Sequence, residues 1–316
     1  MNILVTGGAG FIGSNIVEHL LELSGTGIVR VLDNLSTGFM SNIEPFMSNP
    51  RFEFFNGDIR NFEDCRRACK GMDYVLHEAA LGSVPRSIDD PLTTNAVNIT
   101  GFVNVLTAAK ESRVKRFIYA SSSSVYGDSQ DSPKKETSTG KPLSPYGVTK
   151  QTNELYAHVF SKVYGLQIIG LRYFNVFGPR QNPEGAYAAV IPLFIRSLIK
   201  NEPPTINGDG SQTRDFTYVK NVVSANLKAL MANSGTNQVY NIALGEQTTL
   251  NEVWDLLQSI SGKRLTPGYG PAREGDIRNS LADIEKAKTL LDYVPSVRIK
   301  EGLIHTYNWF LRDLTL

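Results

Sequence analysis

Short apolar runs alternate with amphipathic stretches through the first half of the chain. Residues Phe11 to Leu23 have apolar positions at helical spacing, and this stretch stands between two apolar runs. The runs that predict strands are 3–7, 28–33, 52–55, 73–77, 116–121 and 166–174. Repeated strand, helix, strand order predicts an α/β fold, with a parallel sheet doubly wound by helices on both faces.

The amino-acid composition of the sequence changes after Phe177. Residues 178–185 and 201–213 concentrate Gly, Pro and Asn, which are typical of loops. We therefore expect one domain over residues 1–177 and a smaller, mixed second lobe that is built mainly from residues 178–316.

Part of the second half is expected to return to the first domain. Residues 218–230 are apolar at helical spacing, and residues 239–244 read as a strand. The boundary between the domains is therefore not expected at one position, and a segment of about residues 215–245 is assigned to the first domain.

Composition narrows the class of protein. Of 316 residues, 41% are hydrophobic and 20% charged, which is typical of a folded globular chain. Lys and Arg total 32 against 31 for Asp and Glu, so no concentrated basic field is expected for nucleic acid or a membrane surface. The chain opens with a strand-like run and shows no apolar stretch of about 20 residues, so we expect a cytoplasmic enzyme. The two cysteines do not form a CxxC pair, and no cluster has metal-ligand spacing, so no metal site is expected.

A glycine-rich segment, TGGAGFIG at residues 6–13, follows the first strand and opens the first helix. Its glycines form a GxxGxxG variant of the dinucleotide fingerprint, in which the backbone approaches a pyrophosphate and the helix N-terminus stabilises its charge. The residues concerned are Gly7, Gly10 and Gly13, with the backbone N–H groups of Phe11 and Ile12. A turn without a ligand is the alternative, and the flanking strand and helix disfavour it.

An acidic residue stands where the fingerprint needs one. Asp33 ends the second strand, twenty positions after Gly13, where a carboxylate accepts hydrogen bonds from an adenosine ribose. Its charge would repel a 2′-phosphate. NAD is therefore expected in preference to NADP.

A second group of polar residues follows the fifth strand. Ser121 to Ser124 end this strand, and Tyr146 and Lys150 follow in SPYGVTK. A spacing of four puts Tyr146 and Lys150 on one face of a helix. A phenol is a poor base at neutral pH unless a nearby cation stabilises the phenolate, which Lys150 could do. The alternative is a packed tyrosine beside a solvated lysine.

With these motifs the chain resembles the extended short-chain dehydrogenases/reductases that act on nucleotide sugars. Further motifs carry the resemblance: GDIR (57–60), HEAA (77–80), SSSSVYG (121–127), LRYFNVFGPR (171–180) and GDGSQTRDFTYV (208–219). The chain looks most like bacterial UDP-N-acetylglucosamine 4-epimerases, through LGSVPRS (81–87), GAYAAVIP (185–192) and REGDIRNS (273–280). A Rossmann-like NAD-binding domain and a substrate-binding lobe are implied.

The resemblance implies two sets of site residues. On the cofactor side it adds Asn34, Ser36, Thr37, Gly38, Asp58, Ile59, Ala79, Asn98 and Tyr173 to the glycines, Asp33, Tyr146 and Lys150. On the substrate side it implies Ser83, Ser122, Ser123, Asn175, Val190, Asn207, Arg214, Arg273, Asp276 and Ser280. Arg214 and Arg273 also lie in Gly- and Asp-rich loops, and their forked donors suit a diphosphate.

The implied reaction is reversible inversion at carbon 4 of a UDP-sugar. The pair of sugars expected first is UDP-N-acetylglucosamine and UDP-N-acetylgalactosamine, and UDP-glucose is a further expected substrate. Tyr146, aided by Ser122 or Ser123, would take the 4-hydroxyl proton while NAD accepts a hydride; the 4-keto sugar would turn over and be reduced on its other face. A small Ser280 would admit the N-acetyl group, and the alternative is that it caps a helix over residues 281–291.

Three alternatives stay open on the sequence. UDP-glucuronate 4-epimerases share SSSSVYG, a net oxidoreductase would use the same scaffold, and a silent NAD-binding protein would need neither Tyr146 nor Lys150. Dehydratases and decarboxylases carry acidic residues beside the catalytic serine, where this chain has Ser123 and Ser124. The family usually forms homodimers through two helices, expected here at residues 93–111 and 145–164.

Overall fold

The computed structural model describes residues 1–184, 188–271 and 279–313. Its strands, in chain order, are β1 (Ile3–Thr6), β2 (Val29–Asp33), β3 (Phe52–Asn56), β4 (Tyr74–His77), β5 (Arg116–Ser122), β6 (Gln167–Tyr173), β7 (Val176–Phe177), β8 (Thr205–Asn207), β9 (Thr213–Arg214), β10 (Thr217–Tyr218), β11 (Gln238–Ile242), β12 (Thr248–Thr249) and β13 (Gly268–Gly270).

The helices of the described residues alternate with these strands. They are α1 (Phe11–Glu22), α2 (Phe62–Cys69), α3 (Val84–Asp89), α4 (Pro91–Asn95), α5 (Phe102–Glu111), α6 (Pro145–Tyr164), α7 (Val190–Lys200), α8 (Val219–Met231), α9 (Leu250–Ser261), α10 (Glu285–Leu291) and α11 (Ile299–Asp313). A π-helical segment, Ala96–Gly101, joins α4 to α5, and short 3₁₀ turns lie at Met40–Asn42, Glu44–Phe46 and Ser123–Tyr126.

A seven-stranded sheet forms the centre of the molecule, in the order β11-β6-β5-β4-β1-β2-β3. Every neighbouring pair in it is parallel. The chain order reverses between β1 and β4, which creates a crevice at the carboxyl ends of the strands where ligands bind in such folds. The predicted fold class, a doubly wound Rossmann-like sheet, is confirmed.

Apolar side chains cover the sheet on both faces. One cluster packs β1, β2 and β6 under α1 and α8, and the other packs β4 and β5 under α2 and α5. A third cluster, built around Phe177, Phe194 and Trp254, forms the core of the second lobe. The central strands are buried on both sides, which explains why they appear in the sequence as nearly continuous apolar runs.

The segment after residue 215 lies against the central sheet. Helix α8 packs against α1, and β11 pairs with β6 from Gln238↔Ile169 to Ile242↔Tyr173. Both elements are where the apolar stretches 218–230 and 239–244 predict them. The division of the chain into domains 1–177 and 178–316 stays a prediction.

Helix α6 has strong signals at both ends. The hydroxyl of Ser144 accepts a hydrogen bond from the backbone N–H of Gly147, and Pro145 occupies the first turn. Gly165 ends the helix in a left-handed conformation, with φ of 68°. The 20-residue helix is therefore fixed over the predicted range 145–164.

Candidate active site

The glycines of the first loop allow a close approach of backbone segments. A Cβ atom on Gly7, which has φ of +70°, would lie 2.6 Å from the backbone nitrogen of Ala79. A Cβ atom on Gly13 would lie 2.2 Å from the carbonyl oxygen of Gly7. A side chain at either position would displace the backbone of this loop and occupy the space that the glycines leave open.

Helix α1 begins directly after this loop, at Phe11. The backbone N–H groups of Phe11, Ile12 and Gly13 belong to its first turn and have no acceptor one turn earlier in the helix. All three residues line the same cavity. This is the arrangement that binds a pyrophosphate through a helix N-terminus.

Two carboxylates lie farther along the cavity, at the end of β2 and after β3. Asp33 accepts hydrogen bonds from the N–H groups of Ala9 (2.9 Å) and Leu35 (2.8 Å), and burial raises its pKa. Asp58 is paired with Arg60, which lowers the pKa of Asp58 to about 2. Asn34 donates to Asp58 (2.9 Å), so both carboxylates are held in fixed positions.

A cavity of about 520 Å³ runs along the carboxyl ends of the strands. The predicted cofactor residues that line it are Gly7, Gly10, Phe11, Ile12, Gly13, Asp33, Asn34, Ser36, Thr37, Gly38, Asp58, Ile59, Ala79, Tyr146, Lys150 and Tyr173. The glycine cradle, the free helix N-terminus and the carboxylates fit a dinucleotide such as NAD, with its pyrophosphate at α1 and an adenosine ribose at Asp33.

Asn98 differs from the other predicted cofactor residues because it lies behind the wall of this cavity. Its side chain accepts from the N–H of Leu81 (2.8 Å) and donates to the Leu81 carbonyl (3.2 Å) and the Thr149 hydroxyl (3.1 Å). Asn98 therefore ties the loop after β4 to helix α6 and supports the cavity from outside.

The predicted catalytic residues meet at one end of the cavity. Ser122 ends β5, and its hydroxyl accepts a hydrogen bond from the N–H of Ser124 (3.1 Å). Ser122, Ser123 and Ser124 line the cavity together with Tyr146 of α6. The neighbouring Ser121 donates to Glu154.

Lys150 lies one helical turn after Tyr146. Its ammonium nitrogen donates to the carbonyl of Ala120 (2.8 Å) and lies 5.9 Å from the centre of the Tyr146 ring. Burial lowers the pKa of Lys150 to about 8, while Glu78 and Glu154 act in the opposite direction. Burial raises the pKa of Tyr146, and Ser122 opposes that shift.

The motif HEAA contains a residue whose place in the site the sequence analysis missed. Glu78 lines the cavity and accepts a hydrogen bond from the Tyr173 hydroxyl (2.9 Å). The sequence signal for Glu78 was its position, because it is a carboxylate directly after the buried strand β4. Its neighbour His77 is buried against Phe102 and Phe117, and burial lowers the pKa of His77 to about 3, so it is a packed residue.

A second cavity, of about 1140 Å³, lies between the sheet and the second lobe. Gly82, Val84, Asn175 and Val176 line both cavities, so the two spaces adjoin. The predicted substrate residues that line the second cavity are Ser83, Asn175, Val190, Asn207 and Arg214. Ser122 and Ser123 line the first cavity beside the junction.

The remaining predicted substrate residues have other positions. Arg273 and Asp276 lie outside the described residues. Ser280 is buried, and its N–H donates to the Thr213 carbonyl (3.2 Å) beside Arg214; its side chain is not in the described part of either cavity wall. Ser280 does not cap a helix over 281–291, because α10 begins at Glu285 and its capping residue is Ile284.

A Rossmann-type sheet, a dinucleotide cavity and a Ser–Tyr–Lys group beside a second cavity define a nucleotide-dependent enzyme of the short-chain dehydrogenase/reductase type. The chain matches the NAD dependent epimerase/dehydratase family over residues 3–243. It belongs to that family.

Several of the similar solved structures are UDP-sugar 4-epimerases. The chain is 41% identical to UDP-glucose 4-epimerase of Thermotoga maritima, with a TM-score of 0.93 and coverage of 99% of this chain and 100% of that one. It is 39% identical to UDP-N-acetylglucosamine 4-epimerase of Methanobrevibacter ruminantium, with a TM-score of 0.93 and coverage of 99% and 98%. It is 36% identical to UDP-glucuronic acid 4-epimerase of Bacillus cereus, solved with UDP-glucuronic acid and NAD, with a TM-score of 0.91 and coverage of 99% and 100%.

Within the described residues, none of the helices has the length and apolar character that a membrane crossing needs. In the same part of the chain, no group of three or more His, Cys, Asp or Glu side chains is arranged to hold a metal ion.

Proposed function

We propose that this protein is an NAD-dependent UDP-sugar 4-epimerase whose main substrates are UDP-N-acetylglucosamine and UDP-N-acetylgalactosamine. The observation that carries the proposal is that Ser122, Tyr146 and Lys150 line a cavity that adjoins a second one. One cavity suits a dinucleotide and the other suits a sugar nucleotide, so the reacting carbon would lie between the cofactor and the phenol.

Tyr146 is the acid–base residue in this proposal. As a phenolate it takes the proton of the 4-hydroxyl group, and as a phenol it returns it. Burial raises the pKa of Tyr146, so the phenolate needs positive charge nearby, which Lys150 supplies from the next turn of α6. Bound NAD would accept hydrogen from carbon 4 and give it back, with no net redox change.

Ser122 positions the reacting hydroxyl. Ser122 lines the same cavity as Tyr146 and lowers the pKa of its phenol, so a Ser122 hydroxyl beside the phenol could pass a proton between phenol and substrate. Ser123 lines the same cavity and is the possible substitute. The residues that follow Ser122 are serines rather than acids, and dehydration would need an acid and a base at these positions.

The second cavity would hold the UDP group. Arg214 offers a forked, permanently charged donor for the diphosphate. Ser83, Asn175, Val190 and Asn207 would surround the nucleotide and the sugar. Arg273, Asp276 and Ser280 complete the proposed set on the strength of the sequence resemblance.

The similarity to UDP-N-acetylglucosamine 4-epimerase supports the choice of acetylated sugar, together with the small residue at position 280. UDP-glucuronate 4-epimerase is the second candidate function, because one of the similar structures contains UDP-glucuronic acid. A uronate carboxylate needs additional donors beside the sugar, beyond those that the diphosphate uses.

A substrate panel tests this proposal. Purified protein is incubated separately with UDP-N-acetylglucosamine, UDP-glucose and UDP-glucuronate, and the product sugars are resolved by proton NMR. The proposal predicts 4-epimers from the first two substrates, with the highest kcat/KM for the acetylated sugar. Turnover of UDP-glucuronate alone would favour the second candidate, and release of a keto or deoxy sugar would contradict epimerase function.

The protein is also proposed to act as a homodimer in the cytoplasm. Helix α6 exposes a stripe of apolar side chains, Val148, Leu155, Val159 and Val163, at positions that share one helix face. A stripe of this size on a monomer surface is typical of an interface. Leu92 of α4 lies on the neighbouring helix segment and is also exposed.

A further inference from the structure

Glu78 follows β4 at the carboxyl edge of the sheet, next to the catalytic groups. The register pairs His77 with Tyr119, so Glu78 stands beside Ala120, whose carbonyl holds the ammonium of Lys150. One strand farther, Ser122 pairs with Tyr173. The carboxyl ends of β4, β5 and β6 therefore bring Glu78 to the end of the cavity that Tyr146 and Lys150 occupy.

The carboxylate of Glu78 is held in place by two further residues. It accepts from the Tyr173 hydroxyl (2.9 Å), and that oxygen in turn accepts from the side-chain amide of Asn226 on α8 (2.8 Å). Tyr173 and Asn226 are both buried. A carboxylate fixed by such a chain keeps its position when its charge changes, so it acts on the cavity mainly through that charge.

The charged groups of this cavity are few and widely separated. Among the described residues that line it, Asp33 and Asp58 lie at the ends of β2 and β3, whereas Glu78 and Lys150 lie at the other end. The titratable groups that face Glu78 are Tyr173 of β6 and the pair Tyr146 and Lys150 of α6; α8 presents the uncharged Asn226. Burial raises the pKa of Glu78 to about 7, and Tyr173 and Lys150 oppose the shift.

We propose that Glu78 is an electrostatic residue of the cofactor site, whose carboxylate makes the site prefer the oxidised, cationic nicotinamide over the reduced, neutral one. This inference rests on the proposed NAD-dependent function, because that function puts a nicotinamide at the Tyr146 end of the cavity. An anion stabilises a cation held close to it and gives no such stabilisation to a neutral ring. Protonation of Glu78 removes the preference.

The direction of the pH dependence follows from the charge. Glu78 becomes ionised as pH rises through neutrality, so the preference for the oxidised form rises with pH. An opposite charge within about 4–6 Å shifts a carboxyl pKa by about one unit or more. Because linkage is reciprocal, ionisation of Glu78 changes the preference between the two forms by the same factor, about tenfold or more.

The test measures which form of the cofactor the protein holds. Protein is equilibrated with an excess of NAD⁺ and NADH in equal amounts at a series of pH values on both sides of neutrality. Free nucleotide is removed on a desalting column, and the bound forms are extracted and separated by chromatography. The ratio of bound NAD⁺ to bound NADH is compared for the native protein, Glu78→Gln and Glu63→Gln.

Glu78→Gln keeps the shape and an oxygen acceptor for Tyr173 while it removes the charge. We expect the native ratio to rise about tenfold or more with pH, and we expect Glu78→Gln to hold a low ratio without that rise. Glu78 raises the pKa of Lys150, so Lys150 loses its charge at lower pH in Glu78→Gln than in the native protein, and the ratios are compared at pH values where Lys150 is charged in both. Glu63→Gln removes an exposed carboxylate of α2 that lines neither cavity and is expected to keep the native ratio and its pH dependence.

Each result bears on a definite claim. A native ratio that does not change with pH, or one that Glu78→Gln reproduces, would overturn the role of Glu78 even if the protein epimerises its substrates normally. Loss of the pH dependence in Glu63→Gln as well would show that it does not depend on the charge of Glu78 and would also overturn the role of Glu78. A native protein that binds neither form would contradict the proposed function itself.

Discussion

The same kind of side chain has different properties along this site because its surroundings differ. Asp58 is partly exposed and paired with Arg60, which lowers its pKa to about 2, so it remains charged at neutral pH. Asp33 is buried and is held by two backbone N–H groups. Glu78 has one hydrogen-bond donor and is partly buried in the cavity wall, so its charge state is sensitive to the molecules beside it.

The charge of Asp33 is expected to control the choice between NAD and NADP. Asp33→Asn keeps the size of the side chain and one acceptor oxygen, but it removes the negative charge that opposes a 2′-phosphate. We expect weaker binding of NAD and a smaller preference for NAD over NADP, measured as dissociation constants for both cofactors. Tighter binding of NADP than of NAD by the native protein would contradict the assignment.

Ser280 is expected to influence the choice of sugar. Ser280 is buried beside the strand that carries Arg214, so a tyrosine ring in its place must extend into neighbouring space. We expect Ser280→Tyr to lower kcat/KM for UDP-N-acetylglucosamine and to spare UDP-glucose, because the smaller sugar lacks the acetamido group. Ser280→Ala is the matched control and should keep the native ratio of the two activities. Equal losses on both substrates would show that this position does not select the sugar.

Helix α6 carries the proposed catalytic residues Tyr146 and Lys150 and is anchored to the sheet. Tyr146, Lys150 and Glu154 are spaced by four residues and share one face of the helix. Lys150 bonds to Ala120 of β5, and Glu154 bonds to Ser121 of β5 and forms a buried ion pair with Arg172 of β6 (2.7 Å). The helix is therefore fixed to two strands along the face that carries the phenol.

The turn between β9 and β10 is another point where elements are joined. Asp215 is fully buried there and accepts from the N–H groups of Leu244 (2.9 Å), Gly245 (3.0 Å) and Ala282 (3.2 Å). Its position next to Arg214 means that these bonds also hold a wall of the second cavity.

Asp215→Ala is expected to destabilise the protein strongly. It leaves buried backbone donors without their acceptor, each at a cost of about 1–3 kcal/mol. We expect the free energy of unfolding, measured by chemical denaturation, to fall by at least about 2 kcal/mol. Glu285→Gln, which removes an exposed ion pair with Lys288, is the control and should change it by less than about 1 kcal/mol. A similar small change in Asp215→Ala would show that water replaces the carboxylate at no cost.

At the scale of the whole molecule, the exposed stripe on α6 predicts the assembly. We expect Leu155→Glu to convert dimers into monomers, because a charge at the centre of a symmetric apolar interface meets its own copy. Met231→Glu changes a similarly exposed apolar residue on α8, away from this stripe, and should keep the native state. Sedimentation velocity distinguishes the states, and a monomeric native protein would refute the dimer.

Much of the fold and of the candidate site could be predicted from short stretches of sequence. The glycine loop, Asp33 and the Tyr146–Lys150 pair depend on short spacings, and the alternation of strands and helices gave the central sheet with its crevice. The sequence does not show which neighbours a side chain meets across strands, so the contacts of Glu78 with Tyr173, and of Asn98 with Leu81, became visible only in three dimensions. The start of α10 was misplaced because residues 281–284 pair with other segments instead of continuing the helix.

Tyr146 is proposed to drive epimerisation without net redox change. The most direct measurement follows UDP-N-acetylglucosamine by proton NMR while the absorbance of reduced nicotinamide is recorded, for native protein and for Tyr146→Phe. We expect the native protein to form UDP-N-acetylgalactosamine with no net accumulation of reduced cofactor. We expect Tyr146→Phe to retain NAD but to turn over about 10² to 10⁴ times more slowly. Near-native turnover by Tyr146→Phe, or steady accumulation of reduced cofactor during native turnover, would contradict it.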